Sequence, residues 1–121
     1  PNDPFHGLAW HHNNTGQAGG VVDADIDSHE AWDITTGSRS VVVAVLDSGI
    51  QLDHPDLAAN IWLNPNEIAG NGIDDDSNGI VDDLRGYNYV DNNTDPTDTN
   101  GHGTGVAGVI GAAGDNGVGY A

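Results

Sequence analysis

The stretch Val41-Val-Val-Ala-Val-Leu-Asp-Ser-Gly49 carries six consecutive apolar residues and then delivers an aspartate, Asp47, into a turn. The apolar run does not alternate with polar residues, which is typical of a strand buried on both faces of a parallel sheet. In open α/β sheets, ligands and catalytic groups gather at the carboxyl ends of the strands. The stretch therefore predicts an α/β fold, a mostly parallel sheet with helices on both faces, and a functional position for Asp47.

A second informative stretch is Asn100-Gly-His-Gly-Thr-Gly-Val-Ala-Gly-Val-Ile-Gly111, which places His102 at the start of a small and apolar run. Apolar residues recur there at helical spacing and predict a helix over 102–113. Four glycines at 103, 105, 108 and 111 each weaken such a helix by about 1 kcal/mol relative to alanine. This helix therefore requires a very close packing partner.

Weaker patterns elsewhere predict three further elements. The segment 28–34 has a plausible N-cap serine and an apolar side, which predicts a short helix. One helical turn is expected at 56–60, after Pro55, and the alternation at 87–90 predicts a strand.

An acid at a strand end and a histidine at a helix start are two of the three members of a Ser-His-Asp constellation. A carboxylate that accepts a hydrogen bond from imidazole Nδ1–H fixes the tautomer and stabilises the imidazolium. Taken singly, Asp47 is better explained as a turn cap and His102 as an ordinary helix-start residue. Their combined contexts favour a catalytic pair.

The charge of the chain limits its partners. Nineteen acidic residues against two basic ones give a formal net charge of −17, which disfavours nucleic acid and anionic membrane surfaces. No window approaches the roughly 20 apolar residues of a membrane span, and the first residues do not resemble a signal peptide. Adjacent histidines at 11 and 12 and the lack of cysteine disfavour zinc.

A cluster of acids in Asp74-Asp-Asp-Ser-Asn-Gly-Ile-Val-Asp-Asp83 indicates a calcium loop. Alternate oxygen-bearing side chains converge on one point, and Gly79 permits the tight turn that such loops need. Arg85 stands where an EF-hand carries glutamate, so the site would close earlier. The expected ligands are Asp74, Asp76, Asn78, the carbonyl of Ile80, Asp82 and Asp83. A solvated acidic turn is the alternative, and calcium dependence would suit an extracellular, secreted protein.

Two ordered motifs resemble those of the subtilisin-like serine proteases, the subtilase family. Val43-Ala-Val-Leu-Asp-Ser-Gly-Ile50, followed by His54-Pro-Asp-Leu57, resembles the aspartate block, and Asn100-Gly-His-Gly-Thr-Gly-Val-Ala-Gly108 resembles the histidine block. The start, Pro1-Asn-Asp-Pro-Phe5, looks like that of thermitase-like members. The resemblance implies a subtilisin-like fold and a serine endopeptidase in which Asp47 orients His102 as the general base. Gly105 stands where family members commonly carry a second histidine.

The resemblance also implies that residues 1–121 are the N-terminal portion of a subtilisin-like peptidase domain, with 64–83 as a calcium-binding insertion. The partners would be the remainder of the domain, which carries the nucleophilic serine and the oxyanion asparagine, and a protein or peptide substrate. None of the serines present lies in a comparable context (28, 38, 40, 48 and 77). The alternatives are a non-catalytic calcium-binding fragment and a degenerate scaffold.

Further calcium ligands are implied by the likeness to thermitase-like proteases. One site would lie in the loop before the histidine block, with Asp98 as a substitute for weaker ligands. A second would be split between the N-terminus, the aspartate block and the loop at 113–118. The ligands implied for the loop site are Asn88, Asp91, Asn93 and Asp95. Those implied for the split site are Asp3 and Asp56.

Overall fold

The computed structural model of the chain describes residues 1–119. It contains a 3-10 helix at His6–Leu8, helix α1 at Ser28–Trp32 and helix α2 at His102–Gly111. Both α-helices begin where the sequence predicts and end two residues earlier than expected. The segment 55–60 forms consecutive turns. Ala58 N–H donates to the His54 carbonyl at 2.9 Å, which is the bond of a single helical turn, as predicted.

The predicted α/β fold is wrong for the residues that the structure describes. Residues 1–119 contain no sheet, and pairing is limited to a parallel bridge between Ile50 and Thr97 and an antiparallel bridge between Asn88 and Asn93. The run from Val41, which is 70% exposed, to Leu46, which is 90% exposed, lies open to solvent. An extended segment becomes a strand only when a neighbour pairs with its backbone, and apolar composition does not supply that neighbour.

Polar contacts, rather than a large apolar core, hold this segment together. The buried hydrophobic residues are Ala9, Leu57 and Ala107, whereas seven polar or charged residues are buried. Buried polar groups are stable only when they are hydrogen-bonded. Asp3 and Glu67 accept from backbone N–H groups, and Asp56 accepts from an asparagine amide. The buried polar and charged residues are Asp3, His12, Asn14, Ser28, Asp56, Asn64 and Glu67.

Within the described part of the chain, the longest helix is α2, and neither it nor any other helix has the length and hydropathy to cross a membrane.

Candidate active site and metal centre

The aspartate block is joined to the segment before α2 by backbone hydrogen bonds. Ile50 N–H donates to the Pro96 carbonyl at 2.8 Å, and Asp98 N–H donates to the Ile50 carbonyl at 3.2 Å. This short parallel ladder fixes the turn after Asp47 against the N-terminal end of α2. Two segments about fifty residues apart in sequence are thereby neighbours in space.

Asp47 and His102 meet at this junction. His102 Nδ1 lies 2.8 Å from Oδ1 and 2.9 Å from Oδ2 of Asp47. The carboxylate also accepts a hydrogen bond from Ser48 N–H at 2.7 Å. An acceptor at Nδ1 favours the tautomer with the proton on Nδ1, which leaves a lone pair on Nε2. The His102 side chain is 69% exposed, so that lone pair is open to a reactant.

The electrostatics of the pair follow from the same contacts. The hydrogen bond from Ser48 N–H, followed by the one from His102, lowers the pKa of the Asp47 carboxyl. The hydrogen bond to Asp47 and the charge of Asp47 raise the pKa of His102. Asp47 is therefore ionised throughout the neutral range, and His102 is a stronger base than a free imidazole.

A residue that the sequence did not assign to this site, Asp98, organises its surroundings. Its Oδ1 accepts hydrogen bonds from Ser48 Oγ, Asn100 N–H and Gly101 N–H, and its Oδ2 accepts from the N–H and Oγ1 of Thr104. The hydroxyl of Thr104 and the backbone donors hold the pKa of Asp98 well below its usual range. Asp98 thus ties the first turn of α2 to Ser48. The spacing Asp-x-Asn-Gly-His at the start of a helix was the available sequence signal.

Gly103 permits the close approach that the glycine-rich helix requires. A Cβ atom at this position would overlap the Gly49 carbonyl oxygen and lie 3.2 Å from Asp47 Cβ. Gly103 N–H instead donates to Ser48 Oγ at 2.9 Å. The expectation of a tightly packed partner for α2 is confirmed at its first turn.

We expect Gly103→Ala to destabilise the protein by about 1–3 kcal/mol, as overpacking against fixed backbone does, and to weaken the contact between Asp47 and His102. Gly105→Ala is the matched control, because a Cβ there meets nothing within 4 Å and alanine is the better helix former by about 1 kcal/mol. Thermal unfolding of both variants measures the difference. Equal stability of the two variants would contradict this packing.

The serines do not complete a triad in this part of the chain. Ser48 Oγ donates to Asp98 and accepts from Gly103 N–H, so its hydroxyl is engaged in the turn. The other contacts of serine hydroxyls run between Ser38 and Ser40 and between Ser28 and His12. Among residues 1–119, no serine hydrogen-bonds to His102.

A second cluster of functional groups lies in the insertion at 64–83. Carboxylate oxygens of Glu67, Asp76 and Asp83 lie within 4.8 Å of one another, with Glu67 buried and the two aspartates half-buried. The Asn64 side-chain amide, also buried, donates to Asp76 at 3.0 Å and to Asp83 at 3.2 Å. The sequence predicted Asp76 and Asp83 and missed Glu67, whose signal was a lone glutamate seven residues before the aspartate run.

The other predicted ligands of this loop form hydrogen bonds within the loop. Asp74 accepts hydrogen bonds from the N–H groups of Asn78 and Gly79, and Asp82 accepts from those of Gly70 and Gly72. Asn78 accepts from Ile80 N–H through Oδ1 and donates to Asp83 through Nδ2. These side chains shape the loop around the three carboxylates.

The residues of the cluster fit a hard cation. All three ligand groups are carboxylates, and calcium–oxygen bonds of about 2.4 Å span separations up to about 4.8 Å. No arginine in residues 1–119 forms an ion pair with them, so no side-chain cation offsets their mutual repulsion. The three carboxylates could therefore hold a metal ion.

The loop at 88–95 closes on itself. Asn88 Oδ1 accepts from the N–H groups of Val90 and Asp91, and its Nδ2 donates to Asp91. Asn93 accepts from Asp95 N–H. One short loop thus contains the four predicted ligands, Asn88, Asp91, Asn93 and Asp95. Their side chains form hydrogen bonds within the loop.

The N-terminal carboxylate meets the loop that the resemblance assigns to the same site. Asp3 is buried and accepts from the N–H groups of residues 115–118. Its burial raises its pKa, but these backbone donors outweigh that effect and the pKa of Asp3 is lowered. Asp56 accepts from Asn116 Nδ2 at 2.8 Å. The structure therefore brings Asp3 and Asp56 into contact with the same loop, where both accept hydrogen bonds from Asn116.

Comparison with known proteins adds an independent line of evidence. Residues 38–121 match the model of the subtilase family. The chain is 42% identical over 119 residues to subtilisin-like protease 1 of Plasmodium berghei and 45% identical over 121 residues to that of Plasmodium vivax, in each case covering 98% of this chain and 18% of the relative.

A bacterial relative is similar as well. The chain is 36% identical over 91 residues to a thermophilic serine proteinase of Bacillus sp. strain AK1, covering 75% of this chain and 17% of that protein. The chain thus spans less than a fifth of the length of these relatives.

Proposed function

Since the chain belongs to the subtilase family, we propose that Asp47 and His102 are the acid and the base of an Asp-His-Ser triad in a serine endopeptidase. The observation that carries the proposal is the contact of His102 Nδ1 with both carboxylate oxygens of Asp47, at 2.8 and 2.9 Å. Homology to subtilisin-like serine proteases fits hydrolysis of a protein or peptide substrate.

In this proposal, His102 Nε2 takes the proton of a serine hydroxyl as the oxygen attacks the scissile carbonyl. The imidazolium that forms is stabilised by Asp47, and it then donates its proton to the leaving amine. Asp98 is a positioning residue, because it acts by holding the turn of Ser48 and the first turn of α2. The nucleophilic serine and the oxyanion asparagine are supplied by the remainder of the peptidase domain, of which residues 1–121 are the N-terminal portion.

We further propose that the metal of the 64–83 insertion is calcium, held by Glu67, Asp76 and Asp83. The all-oxygen donor set supports calcium over softer metals. A thermitase-like second site would use Asp3 and Asp56, supported by their shared contact with the loop at 113–118. Calcium dependence in turn favours an extracellular, secreted protein.

Labelling with a serine-directed fluorophosphonate tests the proposed function. In the full-length protein, we expect one labelled serine outside residues 1–121 and almost no labelling of the His102→Ala variant, because the base no longer activates the nucleophile. Mass spectrometry of the labelled peptides locates the site. A label on one of the serines at 28, 38, 40, 48 or 77, or undiminished labelling of the variant, would refute this assignment of roles. No label on any serine would favour a scaffold or a calcium-binding role.

A further inference from the structure

Four of the six histidines of the chain gather in one place, although they are spread over positions 6 to 29 in sequence. The rings of His6 and His29 have centroids 5.1 Å apart and an interplanar angle of 13°. His12 is a second neighbour of His6, with centroids 5.9 Å apart and an angle of 19°, and the ring centroids of His11 and His12 lie 4.2 Å apart. The sequence disfavoured zinc because it shows only the adjacent pair His11 and His12. The four histidines come together only in the tertiary structure.

The closest contact in the cluster joins two potential metal-ligating atoms. His6 Nε2 lies 2.9 Å from His29 Nε2, so in the absence of a metal one proton must lie between the two nitrogens. Two imidazole nitrogens bound to one tetrahedral zinc ion, with bonds of about 2.05 Å, lie about 3.3 Å apart. An opening of about 0.4 Å would therefore let a metal ion replace the shared proton.

His12 is held as a metal-ligating histidine usually is. Its Nδ1 lies 2.8 Å from the hydroxyl of buried Ser28, and a hydrogen bond at one ring nitrogen orients the other as the ligand. The ring nitrogens of the three histidines do not all lie within 4.8 Å of one another. Rings that share a tetrahedral zinc have centroids about 5.2 Å apart, so zinc binding requires His12 to approach His6 by about 0.7 Å and to approach His29 as well.

The surroundings support cation binding. Trp32 packs against His6, His12 and His29, with centroid separations of 6.2, 5.1 and 5.6 Å, and gives the cluster an apolar wall. The net charge of −17 attracts cations. Imidazole ligands suit zinc and its neighbours in the first transition series, whereas the carboxylate cluster at 64–83 suits hard cations.

We propose that His6, His12 and His29 form a binding site for a divalent transition-metal ion of the zinc type, with a fourth position left to water. This site shares no residue with the Asp47–His102 pair, and binding of the metal at α1 would clamp the N-terminal segment to that helix. The proposal does not depend on the proposed peptidase activity.

Calorimetric titration with zinc tests it. The full-length protein is measured with excess calcium, which occupies the carboxylate sites, and in the His102→Ala background, which removes a competing imidazole. We expect one zinc ion to bind, with an affinity that falls at least about 100-fold in His29→Ala. We expect about a 10–100-fold loss in Ser28→Ala, as is typical when the partner of a metal-ligating histidine is removed.

His54→Ala is the matched control, because it removes a histidine that is not part of the cluster, and we expect its zinc affinity to be unchanged. Cobalt gives a second readout, since tetrahedral nitrogen coordination produces strong visible absorption that His6→Ala should abolish. Unchanged melting of the metal-free variants would show that they are folded. Absence of zinc binding, or equal losses in His54→Ala and His29→Ala, would overturn the proposal and leave a pair of histidines that shares a proton.

Discussion

Replacing His102 with alanine is expected to lower kcat of the full-length protein by about 10⁶-fold, and Asp47→Asn by about 10⁴-fold. The first change removes the proposed base. The second leaves an imidazole whose Nδ1 no longer faces a carboxylate, so the reactive tautomer and the imidazolium both lose their stabilisation. Hydrolysis of an unfolded protein substrate by purified variants measures both effects.

The double variant is an internal test of this assignment. Because the two residues act as one unit, His102→Ala combined with Asp47→Asn should be no slower than His102→Ala by more than a few-fold. Asp53→Asn, which removes an exposed carboxylate from the same block, is the control and should retain activity within a few-fold. Comparable losses in Asp53→Asn and Asp47→Asn would show that charge, rather than the contact with His102, explains the effect.

The pH dependence of activity tests the effect of Asp47 on the pKa of His102. His102 must be neutral to act as a base, and Asp47 raises its pKa above the usual value of 6.5. Activity should therefore fall as pH decreases through a value above 6.5, because His102 then becomes protonated. In Asp47→Asn, the residual activity should show this inflection at a lower pH. An inflection that does not move would mean that Asp47 does not set the basicity of His102.

Removing calcium is expected to produce the second-largest effect. An ion that binds only the folded protein contributes about 2.7 kcal/mol to stability at a free concentration of 100 times Kd. A chelator in excess should remove this contribution, lower the melting temperature and expose residues 64–98 to proteolysis. Glu67→Gln should weaken calcium binding at least about tenfold, so at the same calcium concentration at most about 1.4 kcal/mol of the stabilisation remains.

Asp33→Asn is the control for Glu67→Gln, because it removes one negative charge at an exposed position outside the insertion. Its melting temperature should respond to chelator as that of the unmodified protein does. A melting curve that is indifferent to excess chelator would exclude the calcium proposal. Equal calcium affinities of Glu67→Gln and Asp33→Asn would show that Glu67 is not a ligand.

The sequence was most informative where chemistry is local. The pairing of Asp47 with His102 was predicted from two motifs, and the structure places the two side chains in contact. The start of α2 and a close packing partner for it were also predicted, because a helix weakened by four glycines needs packing to compensate. The structure places that contact at Gly103. The part played by Asp98 was missed, since an aspartate before a helix is compatible with capping alone.

The carboxylate cluster of Glu67, Asp76 and Asp83 was predicted from the sequence only in part. Asp76 and Asp83 belong to a recognisable acidic run, whereas Glu67 reaches them only because the insertion folds back on itself. Its carboxylate accepts from the N–H groups of Asp75, Asp76 and Asp82, contacts that no local pattern encodes. The sequence thus predicted two of the three carboxylates of this cluster.

The amino-acid sequence by itself determined the chemical character of this protein: a carboxylate–imidazole pair, an acidic oxygen-rich loop and a short glycine-rich helix. Each depends on residue type and short spacing, which the chain carries directly. Only the tertiary structure decided that 41–46 is unpaired in the described residues, that Glu67 joins the aspartates and that His6, His12 and His29 converge. These outcomes depend on which distant segments meet. Strand pairing and side-chain clustering join residues that are far apart in sequence, so residue type and short spacing do not determine them.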